Sequence, residues 1–475
     1  MDDDTIAVLD RILRLDPAAP ALQFDGRWLT YGDLTTAIDA VGTALRDAGV
    51  GPGAPVAAVV PNRPVGLIAW LAVLLEGACL VPLSPRRAAD ELAAVGAVTA
   101  VLGPAGTVEP APPVDGAAGL TLRPSGPAPA RPGVAVLMST SGTTGEPKRI
   151  AIAVRSIDSV VRAVRGLANG SDATPRLRDD TTLVCFPYTN LSGILPQLIA
   201  LVSGRRTALL ERFEPRRVAR LVAEHRMTSL ALNPTAMRML LDADVDPSDL
   251  GTLRYVRSGS ARLSPGLAAE FEERFDVAVL QGYGQTEVAG EVIGWSAADH
   301  RQFGRLKRGS VGRPHPGIEV RLAAPGEDPE ADPVGEVGEL WLRGAPNVVG
   351  WHRTGDLARI DEDGFVWIEG RADNLIICGG FNVAPLMLER VLESHPAVSE
   401  AVVVARADPR LGEVPVAVVR LQPGAHVAGE ELAGWCRQRL EPYQVPRAVV
   451  VVDELPRNDA GKVHLPGVRD LACAY

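Results

Sequence analysis

Ser139-Thr-Ser-Gly-Thr-Thr-Gly-Glu-Pro-Lys148 follows directly on an apolar run at 134–138. A strand that opens into small hydroxyl residues, two glycines and a lysine reads as a phosphate cradle. Glycine lets backbone amides approach closely, hydroxyls donate to oxygens, and the lysine balances charge. The Walker pattern is not met, because no Gly-Lys-Ser/Thr follows at the required spacing. The lysine is informative in itself. Only three of the 48 basic residues are lysines: Lys148, Lys307 and Lys462. Lysine is a compact, mobile point charge where arginine is a rigid fork, so an arginine-favouring chain should keep lysine where one ammonium must enter a site and leave again. Lys148 and Lys462, the latter in Pro456-Arg-Asn-Asp-Ala-Gly-Lys462, fit that role; Lys307 reads as an ordinary surface residue.

Outward from this loop, strand and helix patterns alternate as in a layered α/β protein. Helices are expected at 5–15, 31–48 and 64–75, a two-strand piece at 21–29 and a buried strand at 56–61. The Pro/Gly/Ala-rich stretch 103–133 reads as loop-heavy connection with weak strand signals. Further strands at 182–186, 229–232, 255–257 and 278–281 each run into a motif, and the carboxyl ends of strands are where open α/β sheets bind ligands. After Gly370 the pattern becomes a compact strand–helix–strand series. A chain of 475 residues exceeds the size of a single core, so the division expected is 1–370 and 371–475.

Composition excludes several classes. The net charge is −10 with no basic run, which argues against a nucleic-acid partner. The five cysteines lack paired spacing, as suits a reducing cytoplasm rather than a disulfide framework or zinc site. The opening Met1-Asp-Asp-Asp is acidic where a secretory signal needs a basic region. The apolar stretch 65–83 is interrupted by Glu76, Gly77 and Pro82, so no membrane span is expected.

Three further clusters carry chemistry. In Gly282-Tyr-Gly-Gln-Thr-Glu287, Tyr283 can stack on a base, Thr286 can bond a phosphate oxygen and Glu287 can hold magnesium through hard oxygen ligation. Arg353-Thr-Gly-Asp356 places a carboxylate suited to two vicinal hydroxyls. Gly370-Arg371-Ala-Asp373 opens a segment running through Gly379-Gly380 to Pro385. With the Lys462 element, and with Thr30-Tyr-Gly-Asp-Leu34 and Ser258-Gly-Ser-Ala-Arg-Leu263, this series over nearly the whole chain closely resembles the adenylate-forming superfamily of acyl-CoA synthetases, peptide-synthetase adenylation domains and luciferases.

The resemblance implies a large N-terminal domain of stacked sheets and helices with a small mobile α+β C-terminal lid. By that likeness Thr140, Ser141, Gly142, Thr143, Thr144, Gly145 and Lys148 grip the β- and γ-phosphates of ATP. Ser260, Ala261 and Tyr283 flank the adenine, Thr286 and Glu287 serve the phosphates and Mg²⁺, and Asp356 and Arg371 serve the ribose. Lys462 bridges acid and α-phosphate, Asp373 is the hinge, and Gly379 and Gly380 line a tunnel for the thiol arm of CoA or carrier-protein phosphopantetheine. Three departures stand out. Arg149 replaces a usual glycine, Met387 a usual glutamate, and about one and a half dozen residues are missing between Gly350 and Trp351.

The acid pocket is expected around Pro187-Tyr188-Thr189-Asn190-Leu-Ser-Gly193, with Asn190 in place of the usual aromatic or histidine, and with Asn233 at the wall. These polar groups disfavour long fatty acids, which would desolvate them unpaired, and no acidic residue in 187–193 awaits an α-amino group. The leading expectation is ATP-dependent adenylation of a small polar or aromatic acid with transfer to CoA or an acyl carrier protein, in the setting of secondary metabolism. The alternatives are a diazotase-type relative that activates nitrite for an aromatic amine without CoA, and a non-catalytic nucleotide-binding protein.

Overall fold

The computed structural model describes residues 5–105, 119–140, 148–169, 175–243, 245–330, 336–458 and 461–474. Its six-stranded sheet runs in the order Leu120–Pro124, Ala100–Pro104, Pro55–Val59, Cys79–Leu83, Val134–Thr140, Lys148–Ala153. Pro55–Val59 and Cys79–Leu83 are buried at every position and pair in parallel. Such unbroken apolar strands suit a sheet covered on both faces. Helix Pro64–Leu75, apolar nearly all round, covers one face with Trp70 and Leu71 fully buried; each such side chain contributes about 1.5–3 kcal/mol of burial. The apolar stretch at 65–83 thus divides into helix Pro64–Leu75 and strand Cys79–Leu83, and no helix among the described residues is long and apolar enough to cross a membrane.

Helix Tyr31–Asp47 starts at a reciprocal cap in which Thr30 accepts from the Asp33 amide while Asp33 accepts from the Thr30 amide. That pairing satisfies two amides otherwise left open at a helix start. Of the loop-heavy stretch 103–133, the described part is more ordered than expected. Leu120–Pro124 pairs antiparallel with Ala100–Pro104 across five residue pairs and forms the edge of the six-stranded sheet.

A second sheet, Ser229–Leu232, Tyr255–Ser258, Ala278–Gln285, Gly290–Gly294 and Arg313–Pro314, is parallel through its first three strands and antiparallel thereafter. A third, of four antiparallel strands, ends with Trp351–Ile360 against Val366–Arg371. Arg371 therefore belongs to the last strand of the large domain, paired with Asp356. The sheet of the small C-terminal domain begins at Ile376–Cys378 and is built on the long antiparallel pair Val398–Asp408 and Gly412–Leu421. Its helices Pro385–Glu393, Gly429–Arg437 and Leu465–Cys473 enclose separate apolar clusters.

All five cysteines are free, four of them buried. Lys307 is a structural ion-pair centre, its Nζ 2.7 Å from carboxylate oxygens of both Asp361 and Asp363.

Candidate active site

Of the expected nucleotide residues, Tyr283, Asp356 and Arg371 meet across the strands Ala278–Gln285, Trp351–Ile360 and Val366–Arg371. Asp356 is 6% exposed, and its Oδ2 accepts from the Tyr283 hydroxyl at 2.5 Å and from Gln285 Nε2 at 2.8 Å. The guanidinium of Arg371 stands 3.5 Å from its other oxygen. Burial pushes the Asp356 carboxyl up, and Tyr283, Arg371 and Gln285 offset only part of that. A buried carboxylate held by two donors and paired with a guanidinium is pre-oriented for hydroxyl ligands. Tyr283 is thus bound at its hydroxyl end, and burial beside Asp356 raises its phenol well above 10. Gln285, which the motif reading passed over, binds Asp356, the Thr354 carbonyl and His352. Burial pushes the His352 imidazole below its ordinary value, against the pull of Glu287 and Asp356.

Thr286 and Glu287 occupy a 3₁₀ turn, Thr286–Val288, at the end of the same strand. Asn347 ties this turn to the strand behind the phosphate loop. Its Oδ1 accepts from the Ala153 amide (3.1 Å) and the Ser156 hydroxyl (2.9 Å), and its Nδ2 donates to the carbonyls of Ala151 (3.0 Å) and Glu287 (3.1 Å). One side-chain amide uses two donors and two acceptances there. Glu287 is half-buried, and a carboxylate beside a hydroxyl is a hard-oxygen donor set that fits Mg²⁺.

Thr140 pairs with Lys148 at the mouth of the phosphate loop; Ser141, Gly142, Thr143, Thr144 and Gly145 lie outside the described residues. Arg149 turns away from the loop to the carbonyls of Val95 (2.6 Å) and Ala94, at the end of helix Ala88–Val95. Its side chain therefore acts at a helix carboxyl terminus, where cations are favoured. Ser260 takes a left-handed φ of +67° at an exposed turn with the half-buried Ala261.

Lys462 sits on a tight turn whose ends close on Asn458, with Asn458 N donating to the Lys462 carbonyl (2.8 Å) and Lys462 N to Asn458 Oδ1 (3.0 Å). This turn docks on the large domain. Thr235 Oγ1 donates to the Gly461 carbonyl at 2.8 Å, and Arg457 Nη1 reaches both Thr235 Oγ1 (3.0 Å) and that carbonyl (3.2 Å). Lys462 stays accessible to solvent while the protein around it lowers its ammonium pKa by desolvation. Further contacts join the domains: Arg262 to Glu389 and Glu393, Arg420 to Asp242, and Arg390 to Glu369 and the Ile368 carbonyl.

The acid-pocket residues divide. Tyr188 is fully buried and forms framework, not pocket wall: its hydroxyl donates to Gln197 Oε1 at 3.0 Å, and Gln197 passes on to Thr207 at 3.1 Å. Its phenol is pushed far up by burial. Asn233 likewise is spent on structure. Its Oδ1 caps helix Pro234–Asp242 by accepting from Ala236 N at 2.8 Å, and a Cβ at Gly461 would lie 3.5 Å from its Nδ2. Gly193 is a packing residue, since a Cβ there would collide with the carbonyls of Phe186 and Pro187. Thr189 and Asn190 are half-buried, and Asn190 begins helix Leu191–Val202 without its side chain capping it. Asn62, absent from the motif reading, clamps this segment by accepting from Tyr188 N (3.0 Å) and donating to the Phe186 carbonyl (2.9 Å). Asp373 is exposed and held by Arg371 at 3.0 Å. Gly379 and Gly380, at φ +59° and +88°, form the exposed tip of a hairpin.

Residues 9–350 match the AMP-binding enzyme family, and residues 387–462 match the AMP-binding enzyme C-terminal domain. The chain belongs to the AMP-binding enzyme family. It is an AMP-forming ligase of the acyl-CoA synthetase type, which adenylates an acid and transfers it to a thiol. It is 33% identical to a feruloyl-CoA synthase of Amycolatopsis sp over 95% of this chain and 96% of that one. It is 31% identical to a sulfoacetate–CoA ligase of Cupriavidus necator over 92% and 91%. Among solved structures, ATP-bound MatB from Rhodopseudomonas palustris superposes with a TM-score of 0.80 at 26% identity, covering 99% of both chains. Apo MatB gives 0.69. The whole-chain arrangement thus matches the ATP-bound form better.

Proposed function

We propose that this ligase activates a small polar or aromatic acid with ATP and Mg²⁺, the residues up to Arg371 forming the ATP- and acid-binding body and those after it a mobile lid. The acyl acceptor is CoA or a carrier-protein phosphopantetheine, and the free cysteines fit a cytoplasmic setting. The observation that carries the reading is the docking of the Lys462 turn on Thr235. It holds the lid's one lysine against the large domain, at the helix start beside Asn233.

The chemistry follows from charge. The acid's carboxylate attacks the α-phosphorus, the bond to the β-phosphate oxygen breaks, and pyrophosphate leaves. Two anions must meet, so the barrier is positional and electrostatic. The Lys462 ammonium offsets charge on the acid and the α-phosphate, Lys148 and the hydroxyl loop hold the leaving phosphates, and Asp356 with Arg371 fixes the ribose. Thr286 and Glu287 would hold Mg²⁺, which supplies charge neutralisation on the phosphates when bound. In the second step the thiol gives up its proton, sulfur attacks the acyl carbonyl, and AMP leaves. Lys462 must then withdraw, with rotation at Asp373 and entry of the Gly379-Gly380 hairpin.

The test supplies ATP and magnesium with either a panel of acids plus CoA or nitrite plus an aromatic amine, and follows pyrophosphate exchange, AMP and product. Acid-dependent exchange followed by thioester formation is expected. AMP release that needs nitrite and amine but ignores CoA would overturn the reading in favour of a diazotising enzyme.

A further inference from the structure

A charged cluster crosses the second sheet beside the nucleotide motifs. Glu291, on strand Gly290–Gly294, accepts at a single oxygen, Oε1, from Arg257 Nη2 at 2.7 Å and engages His315 Nε2 there at 3.1 Å. Among the described residues, its Oε2 has no hydrogen-bond partner. That carboxylate lies over the cross-strand pair Gly282 and Gly294, where a Cβ on either glycine would collide with it. Two facing glycines have bared the backbone at the spot the carboxylate occupies. Burial pushes the Glu291 carboxyl up, but His315 and Arg257 more than offset this and hold it below the ordinary glutamate value, so the group is an anion and accepts only.

Its position connects it to the acid. Arg257 immediately precedes the Ser258–Ala261 loop, and Gly282 precedes Tyr283. On the other side, a Cβ at Gly290 would lie 3.6 Å from Leu195, on the helix that begins at Asn190. The strand carrying Glu291 therefore runs between the nucleotide motifs and the acid-motif helix.

We propose that Glu291 determines specificity by accepting, at Oε2, a hydrogen bond from an N–H or O–H on the acid substrate, remote from its reacting carboxylate. This rests on the adenylation reading above and names its substrate class: small, most simply aromatic, acids bearing a hydroxyl or amino group. Arg257 and His315 fix the carboxylate through Oε1 and leave Oε2 for the ligand. A plain hydrocarbon end would strip water from Oε2 and return no donor, and a second carboxylate would meet a like charge. Sites built around a substrate donor reject analogues that lack it far more strongly than apolar pockets reject an extra methylene.

The experiment measures kcat/KM for ATP–pyrophosphate exchange by the full chain on benzoic acids bearing a hydroxyl, amino, methyl or second carboxyl group at the 3- or 4-position. Hydroxyl or amino acids should exceed their methyl isosteres by about tenfold or more, the two arms showing which donor is used. Glu291→Leu should collapse that ratio, and Glu291→Gln, which keeps the size but can also donate, should narrow it and admit the diacid. Ratios within one variant are independent of the fraction of active protein. Equal use of methyl and donor acids by the wild type, an unchanged ratio in both variants, or a wild-type preference for the diacid would overturn the inference while leaving adenylation intact. Absence of exchange with every benzoic acid while another acid supports it would overturn the inference alone; absence with every acid of the wider panel as well would remove both.

Discussion

Thr235 Oγ1 donates to the carbonyl of Gly461 at 2.8 Å, joining the first turn of helix Pro234–Asp242 to the residue before Lys462. This bond crosses from the large domain to the small one and sets where the lysine's backbone lies. Thr235→Val removes the donor at nearly constant volume. It also removes the acceptor for Arg457 Nη1, which keeps the Gly461 carbonyl and Glu400. The neutral bond alone is about 1 kcal/mol, so pyrophosphate exchange should fall roughly fivefold or more. Thioester formation from a supplied acyl-adenylate should not fall, because in the proposed cycle the lid leaves for that step. Equal loss of both steps would count against a docking role.

Lys462→Ala should reduce adenylation by about a hundredfold or more, in line with the loss of one pre-organised charge at a transition state, while ATP binding measured by calorimetry changes little. Lys462→Arg should not restore the rate, since a broad fork cannot take the place of a compact ammonium. An alanine variant with near-normal exchange would remove Lys462 from the mechanism.

Asn347 lies outside the motifs, yet ties Glu287, strand Lys148–Ala153 and Ser156 together through four hydrogen bonds. Asn347→Asp turns its two donors into an acceptor facing the carbonyls of Ala151 and Glu287. The cost expected is on the order of 1–3 kcal/mol, read as a rise of about tenfold or more in the MgATP concentration for half-maximal exchange, with the acid's KM unchanged. A variant that loses thermal stability while keeping its MgATP and acid constants would show that Asn347 serves folding alone.

Arg262 reaches across the domains to Glu389 (3.2 Å) and Glu393 (2.9 Å). Burial pushes the Glu389 carboxyl up to about 7, against the pull of Arg262 and the Val403 amide and with the help of Glu393 and Glu400. Its folded value lies above its ordinary 4.5, so its contribution to stability is complete below that pH and is lost as pH rises through about 7. Denaturation followed from pH 5 to pH 8 should show a fall, on the order of 1–3 kcal/mol, that Glu389→Gln flattens. Parallel pH profiles for the two proteins would contradict this.

The family, the strand-then-motif order and the motif positions of Lys148, Glu287, Asp356 and Lys462 were legible in the chain alone, because they rest on residue type and spacing along contiguous segments. The buried strands Pro55–Val59 and Cys79–Leu83 were legible for the same reason: their apolar runs leave few other fates. The framework bonds of Tyr188 and Asn233 were not legible, since a motif position does not show where a side chain points. Packing sent the Tyr188 hydroxyl to Gln197, and an open helix end took the Asn233 amide. Asn62, Gln285, Asn347 and Glu291 went unseen because each acts through partners that the fold brings together, more than a hundred residues away for Asn62 and Asn347. Spacing along the chain carries no trace of such pairs. Which amide caps a helix, which clamps a loop and which carboxylate lies bare over two glycines was decided only when the sheets met.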